Sequence, residues 1–550
     1  MLFCVGVLFV VVTSTVGEPT ESRLVRIDSG PIRGYKDASE DIFVYYGIPY
    51  AKAPSGSDKF KAPLPTPHWI EPFDAVDKGI ICPQPDIFDL IHNKTMQEDC
   101  LIANVYVPNV ENTNLPVIVY VHGGGFIMGY GDLVTPKKIV SNKEVIVVNF
   151  NYRLGAHGFL CLGTKDIPGN AGMKDQVALL RWIQNNIANF GGNPNDVTIA
   201  GYSAGSASVD LLMMSKIAQG LFKNAILESG ANLSPFSVQS DPVQNAKVYA
   251  KLLKFEDEDV HSLEDFYKSI SYEQLQSGSD LIRTDLLMAP CVERDHGDEI
   301  FLEDSPFNIL NSGKFLPLPM LYGYANMEGS VRVPVFEHWK DKMNANFSEF
   351  LPTDLRFKNN EEKEAIADKV RRFYFKDMPV DEKNILSYVD YWSDTYFDCP
   401  TLRSASLQLK AGNNKIYLYV YSFVEDSTPV VPYTEVRGAG HCFQTVAILD
   451  GLKFNVSDES EISEDLKEMK GIIRDLWTSF AKYSQPESPG APKWPPAGND
   501  MSPYMELKKN PQLGQSLLNK RCDFWEEIYK NHYNIPIPPH ILPPKIKTEL

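Results

Sequence analysis

Ser203 stands in the run Gly201-Tyr202-Ser203-Ala204-Gly205, with glycine two residues away on either side. The apolar run VTIA precedes it and the helical run SASVDLLMM follows. A strand, a sharp turn and a helix in that order lift the serine hydroxyl above the end of a sheet, at a helix N-terminus whose dipole favours developing negative charge. The flanking positions must be small because the turn brings strand and helix together. Chance supplies the five-residue pattern often. Its place between a strand and a helix is what points to nucleophilic chemistry rather than to an ordinary connection.

A serine hydroxyl is a poor nucleophile until a base takes its proton. In arrangements of this kind an acid and then a histidine follow the serine in the chain. His68, His92, His122 and His157 precede Ser203, His261 and His296 lie in an irregular charged segment, His338 lies in the polar stretch FEHWKDK, and His532 and His540 lie in a proline-rich tail. His441 remains, in RGAGHCF, where glycines permit the turn that presents an imidazole. Its bland reading is a loop histidine bonded to backbone. The residues alone leave the acid open. Glu328, in GYANMEGS directly after PMLYGYA, is placed to orient an imidazole from the end of a core strand. Its bland reading is an exposed loop carboxylate.

Acyl transfer also needs donors for the oxyanion. His122-Gly123-Gly124-Gly125-Phe126 follows the apolar run VIVYV. Consecutive glycines let backbone N–H groups converge on one oxygen, together with the N–H after the nucleophile, here Ala204. Each such donor contributes about 3–4 kcal/mol to the transition state. The chemistry needs no metal and no organic cofactor.

The elements that must hold these residues are legible as alternating strands and helices. LVRIDSGPIRGY and IFVYYGIPYA are strand-like with glycine turns. VIVYV and EVIVVNF are β-branched runs of the kind buried on both faces, and DQVALLRWIQNNIANF carries apolar residues at helical spacing. PMLYGYA and KIYLYVYSF continue the strands. Such alternation predicts an α/β fold, a central and mostly parallel sheet flanked by helices. Between about residues 235 and 400 the pattern is irregular and helix-rich, which predicts insertions over the carboxyl ends of the strands, where open sheets bind ligands. SPGAPKWPPAGND is a proline-glycine loop, and NIPIPPHILPPK a flexible or extended tail.

Composition is that of an ordinary globular chain: 550 residues, 43% apolar and 23% charged. A net charge of −18 argues against nucleic acid and against anionic membrane surfaces as partners, and points to solubility. MLFCVGVLFVVV is too short to span a bilayer and, with Thr15 and Gly17 after it, predicts a signal peptide over residues 1–17, leaving a single domain over 18–550. A secretory route makes the N-x-S/T triplets at Asn93, Asn346 and Asn455 candidate glycosylation sites, while Pro235 impairs the one at Asn232. The ending Lys547-Thr548-Glu549-Leu550 is similar to the KDEL-type address for the endoplasmic-reticulum lumen, so secretion and lumenal retention are both open.

With these residues assembled, the chain resembles the type-B carboxylesterase/lipase family, which includes animal carboxylesterases and cholinesterases. YYGIPYAKAP, EDCLIANVYVP, HGGGF, NYRLGAHGFL, PGNAGMKDQ, FGGNPNDVTIAGYSAGS and GYANMEGS look like its landmarks in order, over nearly the whole mature chain. The closest likeness is to the insect branch. This resemblance implies an α/β-hydrolase fold and a serine carboxylesterase acting through an acyl-enzyme on Ser203, with Glu328 as the acid, His441 as the base and Gly124, Gly125 and Ala204 as oxyanion donors. By the same resemblance Cys82 pairs with Cys100 and Cys399 with Cys522, leaving Cys161, Cys291 and Cys442 free. It also makes Arg153 and Asp175 a buried ion pair and puts Ser229 near the triad acid.

The chain departs from the family at three places. Tyr202 stands before the serine, where the family commonly has Glu and juvenile hormone esterases Gln. Cys442-Phe443-Gln444 follow His441, where an acid is usual within three residues. Leu90 replaces the tryptophan that binds choline in cholinesterases, so a quaternary ammonium loses its cation–π partner and uncharged esters are the expected substrates. The alternatives are an adhesion-type relative without turnover and an ester-binding protein that turns over slowly. The intact set of serine, acid, histidine and glycine loop speaks against the first.

Overall fold

The computed structural model describes residues 21–540 except 88, 112, 143, 279–286 and 451–461. The apolar segment over residues 1–17, Asn455 and the KTEL ending lie outside the described residues. One twisted sheet carries the architecture. Its strands, in chain order, are β1 (Ser22–Ile27), β2 (Gly30–Lys36), β3 (Ile42–Pro49), β4 (Ile102–Pro108), β5 (Leu115–Val121), β6 (Ile146–Phe150), β7 (Gly192–Tyr202), β8 (Asn224–Glu228), β9 (Met320–Ala325), β10 (Ile416–Tyr421), β11 (Tyr504–Leu507) and β12 (Gln512–Gly514). Across the sheet they run β1-β2-β3-β4-β6-β5-β7-β8-β9-β10-β11-β12, with the short strand Phe73–Asp74 pairing with β2. From β6 through β11 every neighbouring pair is parallel; the flanking strands are antiparallel.

Period-two alternation decides which residue meets which layer. In β5, Val117, Val119 and Val121 enter one apolar cluster and Ile118 and Tyr120 enter the other. The first cluster lies under the helices α1 (Ala171–Asn186) and α2 (Ala204–Leu212). Chain order then brings α3 (Ile385–Ser393), α4 (Cys399–Lys410), α5 (Phe443–Ile448), α6 (Glu464–Tyr483) and α7 (Lys520–His532). The second cluster is closed by α6, whose Met469, Ile472, Ile473, Leu476, Trp477 and Phe480 recur at helical spacing and are buried. Ser463 caps this helix by accepting from the Leu466 N–H at 3.1 Å.

Parallel strands end on the same edge of the sheet. The carboxyl ends of β5, β7, β9 and β10 therefore lie together, and these are the strands after which the glycine loop, Ser203, Glu328 and His441 follow. The irregular region of the sequence supplies α3 and neighbouring helices. Gly329, directly after Glu328, lies so close to α3 that a Cβ there would sit 2.0 Å from the Val389 carbonyl oxygen. Where described, the proline-rich tail packs on the rest of the chain: the Asn534 N–H donates to the Asp354 carbonyl at 2.8 Å, and Pro539 lies against Gly163.

Three disulfides are present. Cys82–Cys100 and Cys399–Cys522 are those the resemblance implied. The third, Cys161–Cys291, corrects the expectation that both cysteines are free. Asn170 holds the Cys291 side of the bridge: its amide donates to the Cys291 carbonyl at 2.8 Å and its Oδ1 accepts from the Cys291 N–H at 2.9 Å. A separation of 130 residues leaves no local sign of this pairing in the sequence. Cys442 is the free cysteine among the described residues, and it is buried.

Candidate active site

Ser203 occupies the turn between β7 and α2 with φ 55° and ψ −124°, a backbone conformation that a side chain rarely adopts. The turn is held from both sides. The Ser203 N–H donates to the Glu228 carbonyl at 2.8 Å, and its own carbonyl accepts from the Ala207 N–H at 3.0 Å. A Cβ at Gly205 would stand 2.2 Å from the Val121 carbonyl oxygen, and one at Gly201 would stand 2.6 Å from the Gly205 backbone. Both glycines of the motif are thus required by close approach of β5, β7 and α2.

His441 and Glu328 reach this serine from the two adjoining loops. His441 Nε2 lies 2.9 Å from Ser203 Oγ, and His441 Nδ1 lies 2.5 Å from Glu328 Oε2. With Nδ1–H donating to the carboxylate, Nε2 is free to accept from the serine hydroxyl. Glu328 Oε1 accepts from the Ala325 N–H at 2.7 Å, and the carboxylate is fully buried. The two loops are pinned to one another: the Met327 N–H donates to the Ala439 carbonyl at 2.9 Å, and the Ala439 N–H donates to Asn326 Oδ1 at 2.8 Å. Phe397 covers the imidazole, with ring centroids 4.4 Å apart.

The glycine loop lies beside the serine. Gly124 has φ +105° and Gly125 φ +62°. A Cβ at Gly124 would stand 2.0 Å from the Met128 carbonyl oxygen, so only glycine fits. The Gly124 carbonyl turns away to accept from Ile127 and Met128, both at 3.1 Å. The N–H groups of Gly124, Gly125 and Ala204 enter no hydrogen bond among the described residues. His122, at the start of the loop, is structural. It stacks on Tyr152 at 4.3 Å, and burial pushes its pKa down to about 4, so it stays neutral.

Behind the serine lies a buried carboxyl that sequence reasoning passed over. Glu228, at the end of β8, accepts from Tyr120 Oη at 3.0 Å, Trp477 Nε1 at 3.0 Å and Thr445 Oγ1 at 2.5 Å. Burial pushes its pKa up to about 7 against the pull of these donors. An acid at the end of the apolar run AIL was the available signal. Ser229 accepts from Gln444 at 2.6 Å, so its bond goes to the segment after His441. Arg153 and Asp175 form the expected buried pair, at 2.7 and 2.8 Å. Leu90 is half-buried and its carbonyl accepts from Tyr130 Oη at 2.9 Å. Among the described residues the one grouping of metal-ligand types is Asp394, Cys399 and Cys522, and both its thiols are tied in a disulfide.

Comparison with known proteins accords with this geometry. The carboxylesterase family matches residues 21–525. A carboxylic ester hydrolase of Bombus ignitus is 31% identical over 535 residues, covering 93% of this chain and 95% of that protein. Juvenile hormone esterase of Heliothis virescens is 32% identical, over 86% of this chain and 88% of its own. The crystal structure of juvenile hormone esterase from Manduca sexta, with OTFP covalently attached, superposes with a TM-score of 0.84 at 30% identity, covering 93% of this chain and all of that one. These matches do not favour the adhesion-type or sequestering alternatives. The chain belongs to the carboxylesterase family, and it is a carboxylic ester hydrolase with the α/β-hydrolase fold.

Proposed function

We propose that Ser203 is the nucleophile of this esterase, His441 its base and acid, and Glu328 the carboxylate that orients the imidazole. The observation that carries this reading is the unbroken line of hydrogen-bond contacts from Ser203 Oγ through the His441 ring to a fully buried Glu328. His441 Nε2 takes the hydroxyl proton as Oγ attacks the ester carbonyl. Glu328 stabilises the imidazolium that forms. The N–H groups of Gly124, Gly125 and Ala204, unengaged and at the loop and helix start, receive the oxyanion. The imidazolium then protonates the leaving alcohol, and the ester becomes an acyl-enzyme. Water, deprotonated by the same imidazole, attacks the acyl carbon and releases the acid. Ser203→Ala is expected to abolish turnover of a p-nitrophenyl ester while keeping the native melting temperature; normal turnover would overturn the assignment.

The substrates are small uncharged carboxylic esters. Relatives are named for juvenile hormone, pyrethroids and acylcarnitine, so the family accommodates varied ester partners; the last carries a quaternary ammonium, which Leu90 disfavours in this chain. Residues 1–17 are read as a signal peptide and 18–550 as one domain, carried into the secretory pathway. Among the described residues no helix is long and apolar enough to cross a membrane. Asn93 and Asn346 are exposed and are proposed to carry glycans, as is Asn455. Asn232 is buried, its N–H held by Asp210 at 2.9 Å, which suits its exclusion. A glycosidase-sensitive mass decrease in protein recovered from the medium or the lumen tests the route; an unmodified chain confined to the cytosol would refute it.

A further inference from the structure

Arg332 stands apart in a chain with 71 acidic and 53 basic residues. Its side chain forms no hydrogen bond and no ion pair among the described residues, although acids outnumber bases by eighteen. Instead its guanidinium carbon lies 5.3 Å from the Trp339 ring, 5.6 Å from Trp392 and 5.5 Å from Tyr396. Ring faces satisfy the charge of a guanidinium, but its N–H donors lie in its plane and call for oxygen acceptors.

Its setting ties it to the triad. Arg332 lies in the same short 3-10 helix as Glu328, Glu328–Val335. That helix is fixed on α3 at both ends: the Gly329 N–H donates to Ser393 Oγ at 2.8 Å, and Tyr388 Oη donates to the Arg332 carbonyl at 2.9 Å. From Arg332 a continuous band of rings leads back to the reacting atoms. Tyr396 stacks on Phe236 at 6.1 Å and meets Phe397 at 6.3 Å, and Phe397 lies 4.4 Å from His441. Ser203, His441 and Arg332 are all half-buried, whereas the rings that connect them, Phe397, Tyr396 and Phe236, are buried, as are Trp339 and Trp392 against Arg332. A run of buried ring contacts that starts at the imidazole therefore ends at a half-buried arginine whose donors make no hydrogen bond among the described residues.

We propose that Arg332 is a specificity-determining residue that receives a second oxygen acceptor of the substrate, so that the preferred esters are uncharged molecules carrying a ketone, ether or further ester group on the chain that extends from Ser203 toward Arg332. The proposal rests on the assignment of Ser203, His441 and Glu328. A hydrogen bond donated by a charged group to a neutral acceptor, made in a partly desolvated place, is expected to raise kcat/KM about tenfold or more over the hydrocarbon analogue. Such a contact is distant from the bond that breaks, so it acts mainly through KM.

The test compares matched pairs: p-nitrophenyl alkanoates with and without a ketone at successive positions of the acyl chain, and alkyl acetates with and without a ketone along the alcohol. The unsubstituted aryl ester reports the triad. If the parent enzyme does not hydrolyse it, the underlying reading fails. With that activity in place, at least one keto ester is expected to exceed its alkyl partner about tenfold in kcat/KM. Arg332→Leu should remove this preference through KM while changing the alkyl ester less than threefold, and Arg332→Lys, which keeps a donor and a charge, should restore part of it. An unchanged keto-to-alkyl ratio in Arg332→Leu across both series, or equal losses for both partners in both variants at native melting temperature, would overturn the proposal and leave the triad standing.

Discussion

Replacement of Gly124 by alanine separates the oxyanion function of the glycine loop from its backbone strain. The added methyl would lie 2.0 Å from the Met128 carbonyl oxygen and 2.8 Å from its carbon, where ordinary contacts begin near 3.4 Å. Both obstacles are backbone, so the loop itself must yield by roughly an ångström or more. A donor serves an oxyanion only within about 2.7–3.1 Å, and loss of one donor costs about 2.7–4 kcal/mol, or about 100- to 1000-fold in kcat. Because the donor acts on charge that exists only in the transition state, KM should change little. Alanine at φ +105° is also strained, and that part has a control. Gly412 has φ +97° and open space where its Cβ would go. Gly412→Ala should lower stability by about 1–2 kcal/mol and leave kcat within twofold. Steady-state kinetics on p-nitrophenyl butyrate, beside urea unfolding of both variants, distinguish the two effects. If Gly124→Ala keeps kcat within threefold of the parent, or if Gly412→Ala loses as much, the loop is not the oxyanion site.

Further expectations concern groups around the site. Cys161→Ser with Cys291→Ser opens a bridge closing 130 residues and should lower unfolding free energy by about 2–5 kcal/mol, read by denaturant midpoints; unchanged midpoints would contradict a formed bridge. Glu228 holds its proton more tightly folded than unfolded, since burial lifts its pKa from 4.5 to about 7. Stability from this group is therefore present below pH 4.5 and is lost as pH rises through 7, by about 3 kcal/mol in all. Relative to Glu228→Gln, the parent should lose ground by about that amount between pH 4.5 and 8, whereas parallel stability curves would contradict it. Asp175→Asn leaves the buried Arg153 guanidinium uncompensated and should destabilise by about 3–5 kcal/mol; a change below 1 kcal/mol would show that the pair is not sealed from water.

The parts of the site that the sequence made legible are those set by local geometry. Ser203 was readable because its five-residue pattern sits between a strand-like run and a helical run. The glycine loop was readable because close approach at Gly124 admits no other residue. His441 emerged by elimination, but Glu328 needed the family resemblance, since a carboxylate after a strand has no local mark of the imidazole it will meet from 113 residues away. Contacts made by chain folding alone stayed hidden. Cys161 and Cys291 meet across 130 residues, with Cys291 held by Asn170, and no spacing announces the pair. Glu228 is an ordinary acid in sequence and becomes unusual only when Tyr120, Trp477 and Thr445 close on it from three different elements. Arg332 is likewise unremarked until three rings lie against it and, among the described residues, it forms no ion pair. The strand pattern read more easily than any of these, because β5 and β6 are buried on both faces and their composition states it.

The most direct test of the central assignment is to trap the covalent intermediate. Enzyme quenched in acid during turnover of p-nitrophenyl acetate, digested and examined by peptide mass spectrometry, should carry one acetyl group on the peptide that contains Ser203, and Ser203→Ala should carry none. An acetyl group found on another residue of the parent during turnover, or undiminished hydrolysis by Ser203→Ala, would contradict the account.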